Sequence, residues 1–325
     1  MTEMTMVQAL NAGLRRALEN DPKVLLMGED IGALGGVFRV TDGLQKDFGE
    51  TRVVDSPLAE SGIVGTAVGL ALRGYRPVVE MQFDGFVFPA FDQIVTMVAK
   101  HHYRSQGRTP MPIVIRIPYG GGIGAVEHHS ESPEAYFAHT PGLRVLTPSN
   151  AADAYVTIQQ AIASDDPVIY FEPKRRYWDR AEVDDVSPIV GDPWTSRVVR
   201  TGTDVTLVAY GPMVSTCLDA ADAAAEDGVS CSVIDLRSLS PLDLEPVLAD
   251  VRRTGRCVVV HEAPVMLGIG AEVAARVGQE CFFSLEAPVA RVGGAYIPYP
   301  PSRFEKHYLP DVDRVLDAID GVLAL

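Results

Sequence analysis

Short β-branched runs alternate with longer amphipathic stretches along most of the chain. "KVLLMGED", "RVVDS", "RPVVEMQF", "MPIVIRIP", "LRVLTPS" and "PVIYFEP" read as strands. Between them the apolar spacing predicts helices over Leu58–Arg73, Pro89–Tyr103 and Ala151–Ser164. Strands alternating with helices imply an α/β domain with a largely parallel sheet. Ahead of the first strand, "MTEMTMVQALNAGLRRALEN" reads as an amphipathic helix. It carries Glu3 and lacks the long apolar core of a secretory signal.

The alternation stops at "FEPKRRYWDRAEVDDVSPIVGDPW", where charge, proline and tryptophan replace periodicity as in a linker, about residues 174–195. It resumes with "DVTLVAYG", "CSVIDLRS" and "RCVVVHEAP" as strands. Helices are expected over "STCLDAADAAAEDG", "DLEPVLADVRRTG", "AEVAARVGQECF" and the terminal "DVDRVLDAIDGVLAL". The division is therefore a larger α/β domain over 1–185 and a smaller one over 186–325.

Composition narrows the function. The 325 residues are 47% hydrophobic, enough for two sizeable cores, and carry a formal net charge of −15. That balance argues against nucleic acid, whose recognition relies on clustered Lys and Arg, and suits a partner with a basic surface. Cys217, Cys231, Cys257 and Cys281 form no C-x-x-C pair and read as buried, reduced thiols, which points to a cytoplasmic protein. No run approaches ~20 apolar residues, so no membrane span is expected. Dinucleotide-type G-x-G-x-x-G, phosphate-loop and metal signatures are absent. "YGGGIGA" (Tyr119–Ala125) reads either as a flexible turn or as backbone that approaches a ligand or a neighbouring chain.

Three clusters carry candidate chemistry. In "DSPLAESGIVGTAVGLALRG", Ser56 and Pro57 suit the cap and first position of a helix. Glu60 then complements the positive helix end or, desolvated by its apolar neighbours, exchanges a proton with a ring nitrogen. Gly62, Gly65 and Gly69 share one helix face, packed within the domain or against another subunit. In "EHHSESPEAYFAH", His128 and His129 read as turn residues or as an acid/base, ahead of a helix start at Ser130–Glu134. In "EMQFDGFVFPAFDQIV", Gln82 ends a strand and Phe86, in the loop beyond it, suits stacking on a flat heterocycle; Phe88 and Phe91 default to the core.

Taken together, "DSPLAESGIVG", "EMQFDGFVFPAFDQIV", "HHSESPEAYFAHTPGLRVLTPSN" and "DPVIYFEPK" resemble the β subunit of the decarboxylating component of 2-oxoacid dehydrogenase complexes. The likeness continues through "VSCSVIDLRSLSPLD", "TGRCVVVHEAP" and "FFSLEAPVARV". "FPAFDQIV" and "HSESPEAYFAH" look more like the branched-chain members than the pyruvate members. The resemblance implies a thiamine diphosphate-binding domain of the transketolase pyrimidine type, followed by a smaller transketolase C-terminal-type domain. It implies an α2β2 heterotetramer in which the α subunit holds the diphosphate and Mg²⁺ through a G-D-G…N motif that this sequence lacks. The chain alone would then be inactive.

Matched by position, Glu60 is the glutamate that bonds the pyrimidine ring nitrogen and Phe86 the aromatic against that ring, where mammalian branched-chain members carry Tyr. Leu58 and Gln82 match pocket residues, and His129 the histidine near the reacting centre. A structural K⁺ held by backbone carbonyls would fall at Ile113, Val114, Ala161, Ser164 and Asp166. The reaction implied is decarboxylation of a branched-chain 2-oxo acid and transfer of its acyl group to a lipoyl arm of the acyltransferase core, which the C-terminal domain would contact. A pyruvate or acetoin dehydrogenase β subunit is the alternative within the class. A non-catalytic module with this fold, or a self-sufficient thiamine enzyme, are the alternatives outside it.

Overall fold

Strands that read as continuous apolar runs are buried on both faces, as a covered parallel sheet requires. The computed structural model describes residues 1–325. The chain divides into two compact units: Met1–Tyr119 with Tyr136–Pro193, and Gly120–Ala135 with Trp194–Leu325. Segment 120–135 lies within the 1–185 span in sequence and groups with the second unit.

In chain order the first unit begins with β1 (Thr2–Thr5), α1 (Met6–Asn20), β2 (Val24–Gly28), α2 (Leu44–Phe48), β3 (Val53–Asp55), α3 (Glu60–Leu72) and β4 (Arg76–Glu80). Then come α4 (His101–Arg104), β5 (Val114–Tyr119), α5 (Glu134–Ala138, its first two residues grouped with the second unit), β6 (Arg144–Leu146), α6 (Ala151–Ala163), β7 (Val168–Pro173) and β8 (Arg180–Val183). The unit's parallel strands lie in the order β6-β7-β5-β4-β2-β3. α1 opens with a capping box, Thr5 and Gln8 each bonding the other's backbone N–H. The stretch expected as linker supplies β8, which pairs antiparallel with β1. The helix expected over Pro89–Tyr103 is irregular. It starts as a 3₁₀ segment, Asp84–Ala90, passes through a π segment, Gln93–Val98, and ends as α4. Such π turns recur beside functional sites.

Charges are buried at the heart of this sheet. Arg116 on β5 bonds Glu80 on β4 (2.5 Å) and grips Glu172 on β7 through two nitrogens (2.6 and 2.9 Å). Tyr177 donates to the same Glu172 (2.7 Å). Burial pushes the Glu80 carboxyl up despite the guanidinium beside it. Nearby, the fully buried Lys174 bonds Asp84 (2.5 Å), with its ammonium 5.6 Å from the centre of the Phe83 ring.

The second unit contains β9 (Arg197–Arg200), β10 (Val205–Ala209), α7 (Met213–Glu226), β11 (Cys231–Asp235), β12 (Ser238–Ser240), α8 (Glu245–Thr254) and β13 (Cys257–Pro264). It ends with α9 (Ile269–Glu280), β14 (Ala290–Gly294), α10 (Glu305–Tyr308) and α11 (Val312–Leu323). Its sheet runs β14-β13-β10-β11-β9, parallel except for β9. α7 and α11 cover one face through Met213, Cys217, Ala220, Val315 and Ile319. All four cysteines are buried and unpaired. No helix is long and apolar enough to cross a membrane.

His261 on β13 is fully buried and bonds the Ala263 carbonyl through Nδ1 (2.9 Å). A β-carbon on Gly268 or Gly270 would stand 2.6 Å from its ring. Burial, aided by Arg291, pushes its pKa down to about 4. The unfolded histidine takes a proton near 6.5, so its neutral burial stabilises the fold above that pH and loses this contribution as pH falls toward 4. Unfolding free energy should therefore drop by roughly 3 kcal/mol between pH 6.5 and pH 4 on this account. Urea titrations across that range check it, with His261→Gln flattening the slope.

Candidate active site

The carboxyl ends of β2, β3 and β4 point their following residues to one edge of the first sheet, where ligands of α/β folds bind. Three of the expected residues follow these strands. Glu60 and Leu58 follow β3, and Gln82 follows β4. Phe86 follows Gln82 on the 3₁₀ segment rather than in a loop. His129 belongs to the segment of the second unit.

α3 starts later than the Ser-Pro signal suggests. The Ser56 N–H donates to the Gly28 carbonyl (2.8 Å), so Ser56 stays extended beside β2 and cannot cap. Ala59 takes the cap position without a side-chain bond, and Glu60 is the first helical residue. Its carboxylate sits at the positive end of the helix, 9% exposed, and accepts no hydrogen bond from the chain. Glu29, just past β2, shares this field. Burial raises its pKa, and repulsion from Asp30 and Glu60 adds to the shift. Glu29 carried a signal in "MGED", an acidic pair directly after a buried strand, but that run served only to place the strand.

Gln82 donates to Asp30 (3.3 Å). Leu58 is 71% exposed. Phe86 is half-buried, edge-on to Phe83 (centroids 6.0 Å apart), which in turn meets Phe38. Phe88 departs from its expected core place: it is exposed and packs with Phe91 and Tyr136. The 3₁₀ turn rotates it away from the sheet. His129 stands in a 3₁₀ turn, Glu127–His129, with Nδ1 2.9 Å from the His128 carbonyl. The rings of His128 and His129 lie 4.3 Å apart.

The five carbonyl positions lie where α6 ends and β5 begins. Ile113 O accepts from Val168 N (2.9 Å), Ala161 O from Ser164 N (3.2 Å) and Ser164 O from Arg76 (2.9 Å). Asp166 spends its carboxylate on Arg144 (2.8 Å) and His102 (3.2 Å).

The glycine stripe of α3 is not packing against its own domain. A β-carbon on Gly69 would meet nothing within 4 Å, one on Gly65 only Gln93 (3.8 Å), and one on Gly62 only Ala59 (3.6 Å). The stripe is thus a smooth, outward face on a helix that is apolar all round, a pattern that calls for cover. Gly69→Ala should raise the stability of the chain alone by about 0.5–1 kcal/mol, the helix-propensity gain. Thermal unfolding of the isolated chain measures it; a loss instead would mean that the face is filled from within.

Residues 2–178 match the transketolase pyrimidine-binding domain and residues 195–315 the transketolase C-terminal domain. A pyruvate dehydrogenase E1 component β subunit of Leifsonia xyli is 62% identical over 99% of this chain and 95% of its own. A 3-methyl-2-oxobutanoate dehydrogenase β subunit of Mycobacterium tuberculosis is 54% identical over 98% of this chain and 92% of its own. A solved structure described as a split-gene transketolase, an inactive β4 tetramer, matches with a TM-score of 0.80 and 25% identity over 99% of both chains. The chain belongs to the family of β subunits of the 2-oxoacid dehydrogenase E1 component, built on the transketolase pyrimidine-binding and C-terminal domains.

Proposed function

We propose that Glu60, Leu58, Gln82 and Phe86 form the pyrimidine side of a thiamine diphosphate site that an α subunit completes in an α2β2 heterotetramer. The observation that carries this reading is the Glu60 carboxylate, buried at the edge of the sheet with no hydrogen-bond partner in its own chain. A protonated ring nitrogen is the partner such a group fits. The outward glycine face of α3 and the exposed Leu58 beside Glu60 support a second subunit at this edge. The diphosphate and Mg²⁺ fall to the α subunit, whose G-D-G…N motif this chain lacks.

Thiamine diphosphate, when bound, supplies the electron sink for loss of CO₂ from a 2-oxo acid. Glu60 holds and returns a proton at the pyrimidine nitrogen. Phe86 offers its ring as a flat wall, braced by Phe83. His129 binds the substrate carboxylate and moves a proton as the acyl group passes to a lipoyl arm of the acyltransferase core. A structural K⁺ is read at the carbonyls of Ile113, Val114, Ala161, Ser164 and Asp166. A carbonyl oxygen has two lone pairs, and the end of α6 is the negative end of its dipole.

Glu60→Gln should lower decarboxylation by the reconstituted αβ enzyme about 100-fold or more while α–β association persists. Unchanged turnover would remove Glu60 from the chemistry.

For substrate, the reading is a branched-chain 2-oxo acid, supported by the branched-chain-like "FPAFDQIV" and "HSESPEAYFAH" and by the 54% identical relative. A second reading, pyruvate, is favoured by the 62% identical relative. Comparing kcat/KM for 3-methyl-2-oxobutanoate and pyruvate decides between them. The first reading expects about tenfold or greater preference for the branched acid, and the reverse preference establishes the second.

A further inference from the structure

We propose that Glu262 is a positioning residue for His129, stapling together the two feet of the loop that carries it. The inference rests on the reading of His129 given above. The loop runs from Gly120 to Glu131, and its ends meet: the Gly120 N–H donates to the Glu131 carbonyl (2.9 Å). Glu262, on β13 and 2% exposed, reaches both feet with one oxygen. Its Oε1 accepts from the Gly121 N–H on the way in and from Ser132 Oγ (3.4 Å) on the way out. A carboxylate taking a backbone N–H inside a protein makes a charge-assisted bond, stronger than a neutral one.

Neighbouring groups extend the clamp. Glu305 accepts from the Gly122 N–H (2.8 Å) and from Tyr299 Oη (2.7 Å). Past the second foot, Glu134 accepts from Tyr210 Oη (2.6 Å). Every one of these residues belongs to the second unit. This explains the glycines of "YGGGIGA". Gly120 takes φ +81°, and a β-carbon on it would stand 2.9 Å from Glu262 Oε1. A β-carbon on Gly121 would lie 1.8 Å from Tyr299 Oη, an impossible contact. The run is not a slack turn. It is backbone stripped of side chains so that it can lie on Glu262 and Tyr299.

His129 makes its nearest backbone bonds within the loop, to Val126 and His128. Moving the loop moves the imidazole with it, and a shift of about 1 Å in a reacting group costs on the order of 100-fold in rate.

The test uses the reconstituted αβ enzyme and the variants Glu262→Gln, Gly121→Ala and His129→Ala, with the double variant Glu262→Gln/His129→Ala. Glu262→Gln keeps the shape and removes the charge; Gly121→Ala displaces the foot without touching an acid. Both should speed amide hydrogen exchange across 120–133 and lower kcat/KM for the 2-oxo acid about 10- to 100-fold. Thiamine diphosphate affinity should stay within about threefold, because Glu60 and Phe86 lie in the other unit. The double variant should be no worse than His129→Ala alone, since Glu262 acts through His129. Unaltered exchange in both variants overturns the staple. Losses that multiply in the double variant, or a loss of cofactor affinity that accounts for the rate, overturn the positioning role. If His129→Ala keeps full activity while exchange still quickens, the staple stands as a loop anchor, and the role given to His129 is what fails.

Discussion

A carboxylate withdrawn from water costs several kcal/mol unless something answers its charge. This chain buries several and answers them in different ways. Within the first sheet the answer is internal: Arg116 serves Glu80 and Glu172, and Lys174 serves Asp84. In the second unit the answer to Glu262 includes backbone N–H groups and hydroxyls. At the edge of the first sheet Glu60 receives no hydrogen bond from the chain and keeps its carboxylate at the open start of α3.

The arrangement has a consistent logic. Parallel strands end on one edge, and β2, β3 and β4 deliver Glu29, Glu60 and Gln82 there. The ionic groups behind that edge hold the strands in register where the site needs rigidity. Lys174 and Asp84 pin the start of the 3₁₀ segment that presents Phe86. α3 then turns a face without side-chain bulk outward. A helix apolar all round with one open face calls for cover, and Glu60 stands at its first turn.

Much of this was legible in the order of residues. Period-2 and continuous apolar runs located most strands of both sheets, because strands buried on both faces leave a dense apolar signature. β1, β8, β9, β12 and β14 escaped, being short or partly exposed, with β1 read into the helix that follows it. The start of α3 was misplaced because Ser56 and Pro57 are a sound local cap signal that a long-range bond from Ser56 to Gly28 overrides. The discontinuous second unit was invisible: segment 120–135 lies between first-unit segments in sequence, and what holds it to the second unit is Glu262, Glu305 and Tyr210, more than seventy residues on. Motifs single out Glu60, Gln82, Phe86 and His129 as candidates. Glu29 and Glu262 carry no such motif, because their partners come only with the fold.

The central claim is that Glu60 belongs to half of a cofactor site. Calorimetric titration of thiamine diphosphate with Mg²⁺ tests it directly, into the chain alone and into the chain mixed with its α subunit. The account predicts no saturable binding to the chain alone and one cofactor bound per αβ pair, weakened by Glu60→Gln. Tight stoichiometric binding to the isolated chain would contradict it.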